Sequence, residues 1–352
     1  MLILGLETSC DETAAAVVKN GTALISNVVS SQISVHSSYG GVVPELASRH
    51  HLKNIIPVIQ HCLDEAGLTL DDIHAVAVAY GPGLIGSLLV GVSAAKAIAF
   101  ARSIPLVPIN HLEAHLAAVL LENRGVEFPA VSLVVSGGHT TLLVQEDLSR
   151  FRKIGATRDD AAGEAYDKVA KLLGMGYPGG PIIDRLAPKG DDRAVPLSRP
   201  KISDGSPDFS FSGIKSAVVR YVKDHGIKPL GSRDENPPQE ILDLLASFQR
   251  AVVESLVYTT EQALNMSEPR SLLVAGGVAA NSLLRAKMEE LADKYAIRAY
   301  FPSGALSTDN GAMIASLGYY KVIEGRTCGM ELDAVSRLPI PTVDDGPAGD
   351  DS

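Results

Sequence analysis

The sequence predicts an α/β protein built from two similar halves. A hairpin of two apolar strands joined by a polar turn occurs at residues 2–18 and again at residues 131–144. Helical stretches and a further apolar strand that ends in glycines follow each hairpin, at residues 75–80 and 271–275. The length of 352 residues also fits two domains at the usual ~150 residues per domain.

The individual strands and helices are predicted from apolar runs and from the residues that end these runs. The predicted strands are residues 2–6, 14–18, 75–80, 131–135, 142–144 and 271–275. A helix is expected over 111–122 and a last one over 309–324, where Ser307 or Thr308 can cap the start and Gly325 can end it.

The domain boundary is predicted near residue 128, where a turn bearing Gly and Pro follows the helix at 111–122. An N-terminal lobe then covers 1–128 and a C-terminal lobe covers 129–335. The proline-rich stretch at about 187–238 is predicted to be a polar insertion over a cleft, of the kind that often carries substrate contacts. Residues 336–352 are predicted to form an acidic, flexible tail.

Composition excludes several classes of protein. With 46% hydrophobic and 20% charged residues, the chain is too apolar to be disordered. The net charge of −10 means that any contact with RNA must be focused on a local basic patch. Candidates for that patch, which are equally compatible with an ordinary solvated surface, are Arg49, Lys53, Arg193, Arg199, Lys201, Lys215, Arg220 and Lys223.

The cysteines and the apolar stretches predict a cytoplasmic protein. Cys10, Cys62 and Cys328 are widely separated, which fits a reducing compartment better than a disulfide framework. Glycines and Lys96 interrupt the most apolar stretch, residues 75–101, so we expect a strand, a turn and a buried helix there and no membrane span.

His111 and His115 are four residues apart in a predicted helix, so both imidazoles lie on one face and can bind one metal ion. A peptidase motif of the form H-E-x-x-H is not present, because Leu112 stands where the glutamate is needed and Glu113 points to another face. Two hydrogen-bonded histidines on a helix surface remain the alternative.

Residues 81–86 match the dinucleotide pattern G-x-G-x-x-G between a strand and a helix. The acid that binds ribose about twenty residues later is missing, and Pro82 removes a backbone N–H from the loop. We therefore favour tight packing of the glycines over nicotinamide binding.

Three further glycine turns, at 136–138, 179–180 and 276–277, leave backbone N–H groups accessible to a phosphate or a ribose. Asp167, Asp184 and Asn281 lie close to them in sequence and can bind ribose hydroxyls, although helix capping explains them equally well. Asp309 carries the same ambiguity, because an acid at a helix start favours the dipole without a metal. Asp11 and Glu12, in the first hairpin turn, can orient a nucleophile or a cation.

The motifs taken together closely resemble the bacterial TsaD family, in collinear order over about residues 1–325. They are residues 7–13 (ETSCDET), 40–49 (GGVVPELASR), 111–115 (HLEAH), 135–140 (VSGGHT), 160–165 (DAAGEA) and 307–311 (STDNG). The resemblance implies the duplicated two-domain fold of actin, sugar kinases and heat-shock ATPases (the ASKHA fold), with the active site in the cleft between the domains.

The resemblance also implies an activity and a site. The family transfers the L-threonylcarbamoyl group from threonylcarbamoyl-AMP to the N6 amine of adenosine 37, next to the anticodon, in tRNAs that read ANN codons. His111, His115 and Asp309 match the metal ligands, with one Fe²⁺ expected and Zn²⁺ as the alternative, while Asp11 or Glu12 is a candidate for deprotonating the amine. The residues expected to bind the adenylate are Val134, Val135, Ser136, Gly137, Gly138, Asp167, Gly180, Asp184 and Asn281.

The partners implied by the resemblance are tRNA and the TsaB and TsaE proteins, with a homodimer as an alternative when TsaB is absent. Two other functions remain open on the sequence: a metallopeptidase of the sialoglycoprotease type, and a non-catalytic scaffold that binds nucleotide.

Overall fold

The computed structural model describes residues 1–148, 150–200, 202, 204–230 and 237–341. Lys201 and most of the predicted acidic tail lie outside the described residues. The strands, numbered in chain order, are β1 (Leu2–Glu7), β2 (Glu12–Lys19), β3 (Ala23–Ser31), β4 (Ala75–Gly81), β5 (Leu106–Asn110), β6 (Ala130–Val135), β7 (Thr140–Gln145), β8 (Phe151–Ala156), β9 (Ser271–Ala275) and β10 (Arg298–Tyr300). The helices are α1 (Ile33–His36), α2 (Pro44–Ala66), α3 (Ile85–Arg102), α4 (His111–Glu122), α5 (Ala162–Leu172), α6 (Gly179–Leu186), α7 (Ser212–Asp224), α8 (Gln239–Ser267), α9 (Ser282–Lys294), α10 (Gly304–Ser307) and α11 (Gly311–Ile323).

The chain divides into two compact units. The first consists of Met1–Gly125 and Pro302–Ile340, and the second is Val126–Phe301 with residues from 341 onward. The boundary predicted near residue 128 is therefore close to the observed one.

Each unit contains a five-stranded mixed sheet, and the two sheets have the same strand order. The first sheet runs β3-β2-β1-β4-β5 and the second runs β8-β7-β6-β9-β10. In both, the first three strands pair antiparallel and the neighbouring strand pairs parallel to the central one. This correspondence confirms the two similar halves and the two hairpins that the sequence predicts.

The first sheet is covered by helices on both faces, because alternate residues of a strand point to opposite faces. Ile3 and Ala77 pack toward α4 and α11, whereas Leu4 and Val76 pack toward α2 and α3. In the second unit, Leu133 and Val274 join a core that includes side chains of α5 and α8.

The assignment of residues 129–335 to one lobe is wrong for the stretch after Phe301. Helix α11 lies directly on the first sheet, where a Cβ built on Gly5 would be 2.4 Å from the carbonyl oxygen of Gly311 and 2.4 Å from the nitrogen of Ala315. Such a close approach needs glycine on both elements. The last helix therefore completes the first unit, a long-range contact that local sequence patterns do not reveal. The cap of α11 also differs from the prediction, since Asn310 accepts a hydrogen bond from the nitrogen of Met313 at 3.0 Å.

The predicted polar insertion at 187–238 is in part a structural segment of the second unit. It contains α7, and Val195, Leu197, Phe209 and Phe211 are buried in the core. Apolar side chains between the prolines hold this segment to the unit.

The glycines at 81–86 pack tightly, as the sequence predicts. A Cβ on Gly83 would be 2.6 Å from the carbonyl oxygen of Ser9, and one on Gly86 would be 2.5 Å from the Ser48 hydroxyl. Helix α3, which follows this turn, is the one described helix that is long and apolar enough to cross a membrane by length and composition, and it packs against β4 and α2. The predicted strand, turn and helix are confirmed.

The contact between α11 and β1 gives a test of the fold. Gly5→Ala places a methyl group against backbone atoms of α11, so we expect the free energy of unfolding to fall by about 1–3 kcal/mol, the usual cost of overpacking a core. Gly213→Ala is the control, because a Cβ there has no atom within 4 Å. Thermal unfolding of the two variants measures the difference, and an unchanged melting temperature for Gly5→Ala would contradict the packing.

Candidate functional site

The two histidines lie in the first turns of α4, which begins directly after β5. Asn110 caps this helix, and its side-chain oxygen accepts hydrogen bonds from the nitrogens of Leu112 at 2.9 Å and Glu113 at 3.4 Å. His111 is 6% exposed and His115 is 1% exposed. The helix buries both imidazoles on one face, in the arrangement that their spacing predicts.

Asp309, which precedes α11 in the chain, lies close to both histidines. Its Oδ1 atom is 3.6 Å from Nε2 of His111 and 3.3 Å from Nε2 of His115. One ligand atom from each of the three residues lies within 4.8 Å of the others. Two residues from α4 and one from the distant C-terminal part of the first unit thus converge on one point.

The other ring nitrogen of His111 is held by the first hairpin. Its Nδ1 atom lies 2.9 Å from Oε2 of Glu7 and 3.2 Å from Oγ of Ser9. Burial alone lowers the pKa of His111, but the carboxylates of Glu7 and Asp309 outweigh burial and raise the pKa to about 9. A carboxylate behind an imidazole in this way fixes the ring and strengthens the opposite nitrogen as a metal ligand.

The chemistry of this triad fits a divalent metal ion. His115 is buried, and neither of its ring nitrogens forms a hydrogen bond among the described residues, because the 3.3 Å contact of Nε2 with Asp309 lacks hydrogen-bond geometry. Polar atoms at such depth are normally paired. Two imidazoles and one carboxylate with open positions are the donor set of non-haem Fe²⁺ sites and also suit Zn²⁺. The alternative of two hydrogen-bonded surface histidines does not describe His115.

Asp11 lies in the turn between β1 and β2, and Glu12 is the first residue of β2. Asp11 is 6% exposed, and Oε1 of Glu12 accepts a hydrogen bond from the Ser31 hydroxyl at 3.1 Å. Burial, followed by the negative charges of Asp11 and Asp309, raises the pKa of Glu12 to about 9. The acidic turn and the histidine triad therefore belong to one electrostatic environment.

Glu113 does not face the triad. Its carboxylate forms an ion pair with Nζ of Lys321 in α11 at 2.7 Å, and the two side chains are only 3% and 7% exposed. The carboxylate is therefore engaged away from the histidines, and a zincin-type general base is absent from this helix, as Leu112 indicates.

The second unit carries the glycine turn between β6 and β7. Val134 and Val135 are buried in β6, and the nitrogen of Ser136 donates a hydrogen bond to the carbonyl oxygen of His139 at 2.8 Å. A Cβ on Gly137 or Gly138 would have no atom within 4 Å. The turn is thus closed on itself, while the two glycines face open space.

Two other elements lie against this turn. A Cβ on Gly163, in α5, would be 2.6 Å from the carbonyl oxygen of Ser136, and one on Gly276, at the end of β9, would be 2.4 Å from that of Val135. The starts of α5 and of the segment after β9 therefore flank the turn. Helix N-termini and accessible backbone N–H groups are the usual binding elements for phosphate.

Asp167 and Asp184 each bind the start of a neighbouring helix. Asp167 accepts a hydrogen bond from the nitrogen of Gly179 at 2.7 Å. Asp184 accepts hydrogen bonds from the nitrogen of Ser282 at 3.1 Å and from its hydroxyl at 2.8 Å. A Cβ on the adjoining Gly180 would have no atom within 4 Å, so this position is open.

Asn281 caps α9, with its side-chain oxygen accepting from the nitrogen of Leu284 at 2.9 Å. Its amide donates to Oε1 of Gln249 at 3.0 Å, and the Gln249 amide in turn lies 3.4 Å from Oδ1 of Asp184. The capping interpretation is therefore correct for Asn281, whereas Asp167 and Asp184 lie inside α5 and α6 and bind the starts of the neighbouring helices α6 and α9. The same contacts fix the three side chains beside open backbone, so they leave a ligand role available.

Sequence reasoning missed Glu7, Ser9 and Gln249. Glu7 is fully buried at the end of β1, and an acid at the end of an apolar strand is the signal that marks it. Gln249 is a buried polar side chain in α8 among buried residues that are mostly apolar. The residues that they contact are distant in sequence, so their roles can be seen only in the folded structure.

The buried pair of Glu113 and Lys321 gives a test of the site. Lys321→Met leaves the Glu113 carboxylate buried without its cation, and we expect a loss of about 3–5 kcal/mol in the free energy of unfolding. The double variant with Glu113→Leu removes both charges and is expected to recover most of this loss. Lys287→Met, which breaks the exposed pair with Glu290, is the control. Chemical denaturation measures all three, and a fully stable single variant would contradict a buried pair.

Comparison with solved structures supports the fold. The HypF protein of T. kodakarensis has a TM-score of 0.57 at 14% identity, covering 94% of this chain and 48% of that chain. Component A of (R)-2-hydroxyglutaryl-CoA dehydratase from Acidaminococcus fermentans has a TM-score of 0.53 at 13% identity, covering 92% of this chain and 99% of that chain. These likenesses and the matching sheets confirm the expected actin and sugar-kinase type of fold.

Comparison with characterised sequences identifies the family. The sequence model of the tRNA N6-adenosine threonylcarbamoyltransferase family, TsaD, matches residues 23–316. The protein of that name from Koribacter versatilis is 50% identical, covering 96% of this chain and 98% of the relative. The one from Geobacter sp. strain M21 is 52% identical, covering 97% of each. The chain therefore belongs to the TsaD family of tRNA N6-adenosine threonylcarbamoyltransferases and is a transferase that modifies tRNA.

Proposed function

We propose that the chain transfers the L-threonylcarbamoyl group from threonylcarbamoyl-AMP to the N6 amine of adenosine 37, next to the anticodon, in tRNAs that read ANN codons. The observation that carries this proposal is the convergence of His111, His115 and Asp309, with ligand atoms within 4.8 Å of one another, in a chain of this family. The triad gives the transferase a place for a metal ion.

The proposed cofactor is one divalent ion per chain, Fe²⁺ or Zn²⁺, bound by His111, His115 and Asp309. When bound, such an ion supplies Lewis-acid chemistry, since it stabilises negative charge that develops on an oxygen atom. Glu7 orients His111 through Nδ1, at 2.9 Å, and leaves Nε2 of the same ring for the metal. Histidine ligands of metal ions usually form a hydrogen bond through the ring nitrogen that does not bind the metal.

The proposed binding site for the adenylate part of the donor lies in the second unit. The open backbone at Gly137, Gly138 and Gly180 gives a phosphate access to N–H groups. Asp184 and Asn281, held in place through Gln249, have polar atoms for the ribose hydroxyls. Asp167 holds the first residue of α6 next to Gly180.

The transfer itself needs no nucleophile from the protein. The adenosine amine attacks the carbamoyl carbon of the mixed anhydride, a C–N bond forms, the C–O bond to the phosphate breaks, and AMP leaves while the amine loses a proton. We propose Asp11 or Glu12 as the proton acceptor, because both lie beside the triad in the first hairpin. Burial, followed by the negative charges of Asp11 and Asp309, raises the pKa of Glu12 to about 9, so Glu12 can accept the proton only in its ionised form, whose population grows as the pH rises toward 9. Holding the adenosine amine and the carbamoyl carbon close together in the orientation for attack supplies the rest of the rate enhancement.

The proposed protein partners are TsaB and TsaE. Apolar side chains on the outer faces of α2 and α3 support association, since Leu52 is 66%, Ile56 64%, Ile85 49% and Leu89 43% exposed. A second copy of the chain is the alternative occupant when TsaB is absent. The three cysteines are free, which accords with the proposed cytoplasmic location.

Metal content tests the proposed cofactor. We expect about one ion per chain in protein purified without chelators, and none in the double variant His111→Ala with His115→Ala. Glu7→Gln is expected to weaken metal binding by about 10–100-fold, because it alters the partner of a ligand and not the ligand. His61→Ala, at an exposed histidine, is the control. Elemental analysis and metal titration give the readout, and stoichiometric metal in the double variant would refute the site.

Nucleoside mass analysis tests the reaction. Incubation with threonylcarbamoyl-AMP, TsaB, TsaE and an unmodified ANN-reading tRNA is expected to yield threonylcarbamoyladenosine, whereas a tRNA without adenosine 37 stays unmodified. Gly180→Ala is expected to raise the KM for the donor about tenfold, which corresponds to about 1.4 kcal/mol of binding. Its melting temperature should not change, because the added methyl group contacts no protein atom.

Two results would contradict the proposed function. One is unmodified tRNA in the complete mixture with metal-loaded protein. The other is cleavage of casein or a glycoprotein substrate by the same preparation, with loss of that cleavage in the His111 and His115 variants, which would favour the metallopeptidase.

A further inference from the structure

A cavity of about 220 Å³ lies in the second unit, between the segment 199–210 and helix α8. It shares no residue with the glycine turn at 136–138 or with Asp167, Asp184 and Asn281. Neither the proposed chemistry nor the proposed donor site uses it.

The α8 wall of the cavity presents two hydroxyl groups without partners. Ser255, Tyr258, Thr259 and Gln262 all line it, at spacings that place them on one face of the helix. Ser255 and Thr259 are each only 4% exposed, yet neither hydroxyl has a hydrogen bond within the described part of the chain. Hydroxyl groups in helices usually bind the carbonyl four residues earlier, as Thr260 does with Leu256 at 2.8 Å. Because both residues line the cavity, their hydroxyls are candidates for binding a ligand there.

The opposite wall is fixed by its own hydrogen bonds. Arg158 binds Asp204 at 2.6 Å, Asp208 at 2.8 Å and the hydroxyl of Ser206 at 2.7 Å. Asp208 also accepts a hydrogen bond from the nitrogen of Ala156, in β8, at 3.0 Å. This wall is therefore tied to the sheet, but the single positive charge of Arg158 offsets only one of the two carboxylates, so the wall keeps one negative charge in excess. The cavity is formed before any ligand enters, which reduces the entropic cost of binding.

A cation without a counter-ion lies at the same cavity. The guanidinium carbon of Arg199 is 3.4 Å from the centre of the Tyr258 ring, and Arg199 has no ion pair among the residues that the structure describes. By contrast, Arg250 binds Glu254 at 2.9 Å, and Lys215, another basic candidate from the sequence, pairs with Asp160. Stacking on the ring orients the guanidinium and leaves its N–H groups available to an anion.

We propose that this cavity binds a phosphate and the adjoining ribose of the tRNA backbone, with Arg199 on the phosphate and with Ser255 and Thr259 on the ribose hydroxyls. The inference rests on the proposed function for the identity of the RNA. A volume of about 220 Å³ is roughly seven times the ~30 Å³ of a water molecule, which suits a sugar and a phosphate but not a base-paired segment. Arginine with neutral hydroxyls is the donor set that RNA backbones and their 2′-hydroxyls require. The net charge of −10 predicts that any contact with RNA is local, and Arg199, which has no ion pair among the described residues, is a candidate for such a contact.

The test measures binding of an unmodified, ANN-reading tRNA transcript to the full chain at several salt concentrations. Arg199→Met is expected to weaken binding about tenfold and to reduce the slope of log K against log salt by about 0.7–0.9, the contribution of one phosphate contact. Ser255→Ala combined with Thr259→Val is expected to weaken binding with no change in slope, because no charge is lost. The double variant should also lose part of the preference for the ribose over the deoxyribose form of the anticodon stem-loop.

Matched controls separate this site from general effects. Thr260→Val removes a hydroxyl of α8 that already has a partner, and Arg220→Met removes an exposed charge of α7; both are expected to bind nearly as the unaltered chain does. Equal losses for Arg199→Met and Arg220→Met would show a bulk charge effect and overturn the proposal. Unchanged tRNA binding by Arg199→Met and by the double variant of Ser255 and Thr259 would also overturn the proposal. This holds even if these variants bind TsaB or TsaE more weakly. If the unaltered chain neither binds nor modifies the transcript, the proposed function itself fails.

Discussion

The candidate metal centre depends on the close contact between α11 and the first sheet. Gly5 and Gly311 allow the helix to approach the strands so closely that a single Cβ on either would meet backbone atoms. That contact brings Asp309, at the entrance to α11, to within 3.6 Å of His111 and 3.3 Å of His115. The buried pair between Glu113 and Lys321 also joins α4 and α11. Packing and electrostatics thus fix a site whose ligands are almost 200 residues apart in sequence.

The duplicated sheets show how one architecture carries two kinds of chemistry. The turn between β1 and β2 contains the buried Asp11, and Glu7, at the end of β1, binds His111. The equivalent turn between β6 and β7 is rich in glycine and open at Gly137 and Gly138. Strand order is the same in both units, so the difference lies in the turns. A fold of this type restricts where functional residues occur, while the residues themselves decide what is bound.

Local patterns predicted the hairpins, the strand at 271–275 and the helix at 111–122, because apolar runs and glycines define such elements directly. None of the four edge strands, β3, β5, β8 and β10, was predicted. The residues of β3 and β8 alternate irregularly between buried and exposed, and β5 and β10 are only five and three residues long. The metal triad was predicted from the histidine spacing and from family motifs, whereas the role of Glu7 depends on a contact 104 positions away. The placement of α11 in the first unit likewise depends on tertiary packing. Sequence therefore indicated which residues matter, and the fold supplied their partners.

Anomalous diffraction from crystals of protein loaded with Fe²⁺ or Zn²⁺ shows directly whether His111, His115 and Asp309 bind one ion. We expect one strong peak at about 2.0–2.2 Å from Nε2 of His111, Nε2 of His115 and a carboxylate oxygen of Asp309, the range of ordinary metal–ligand bonds. A peak bound elsewhere, or these three side chains without an ion in metal-saturated crystals, would contradict it.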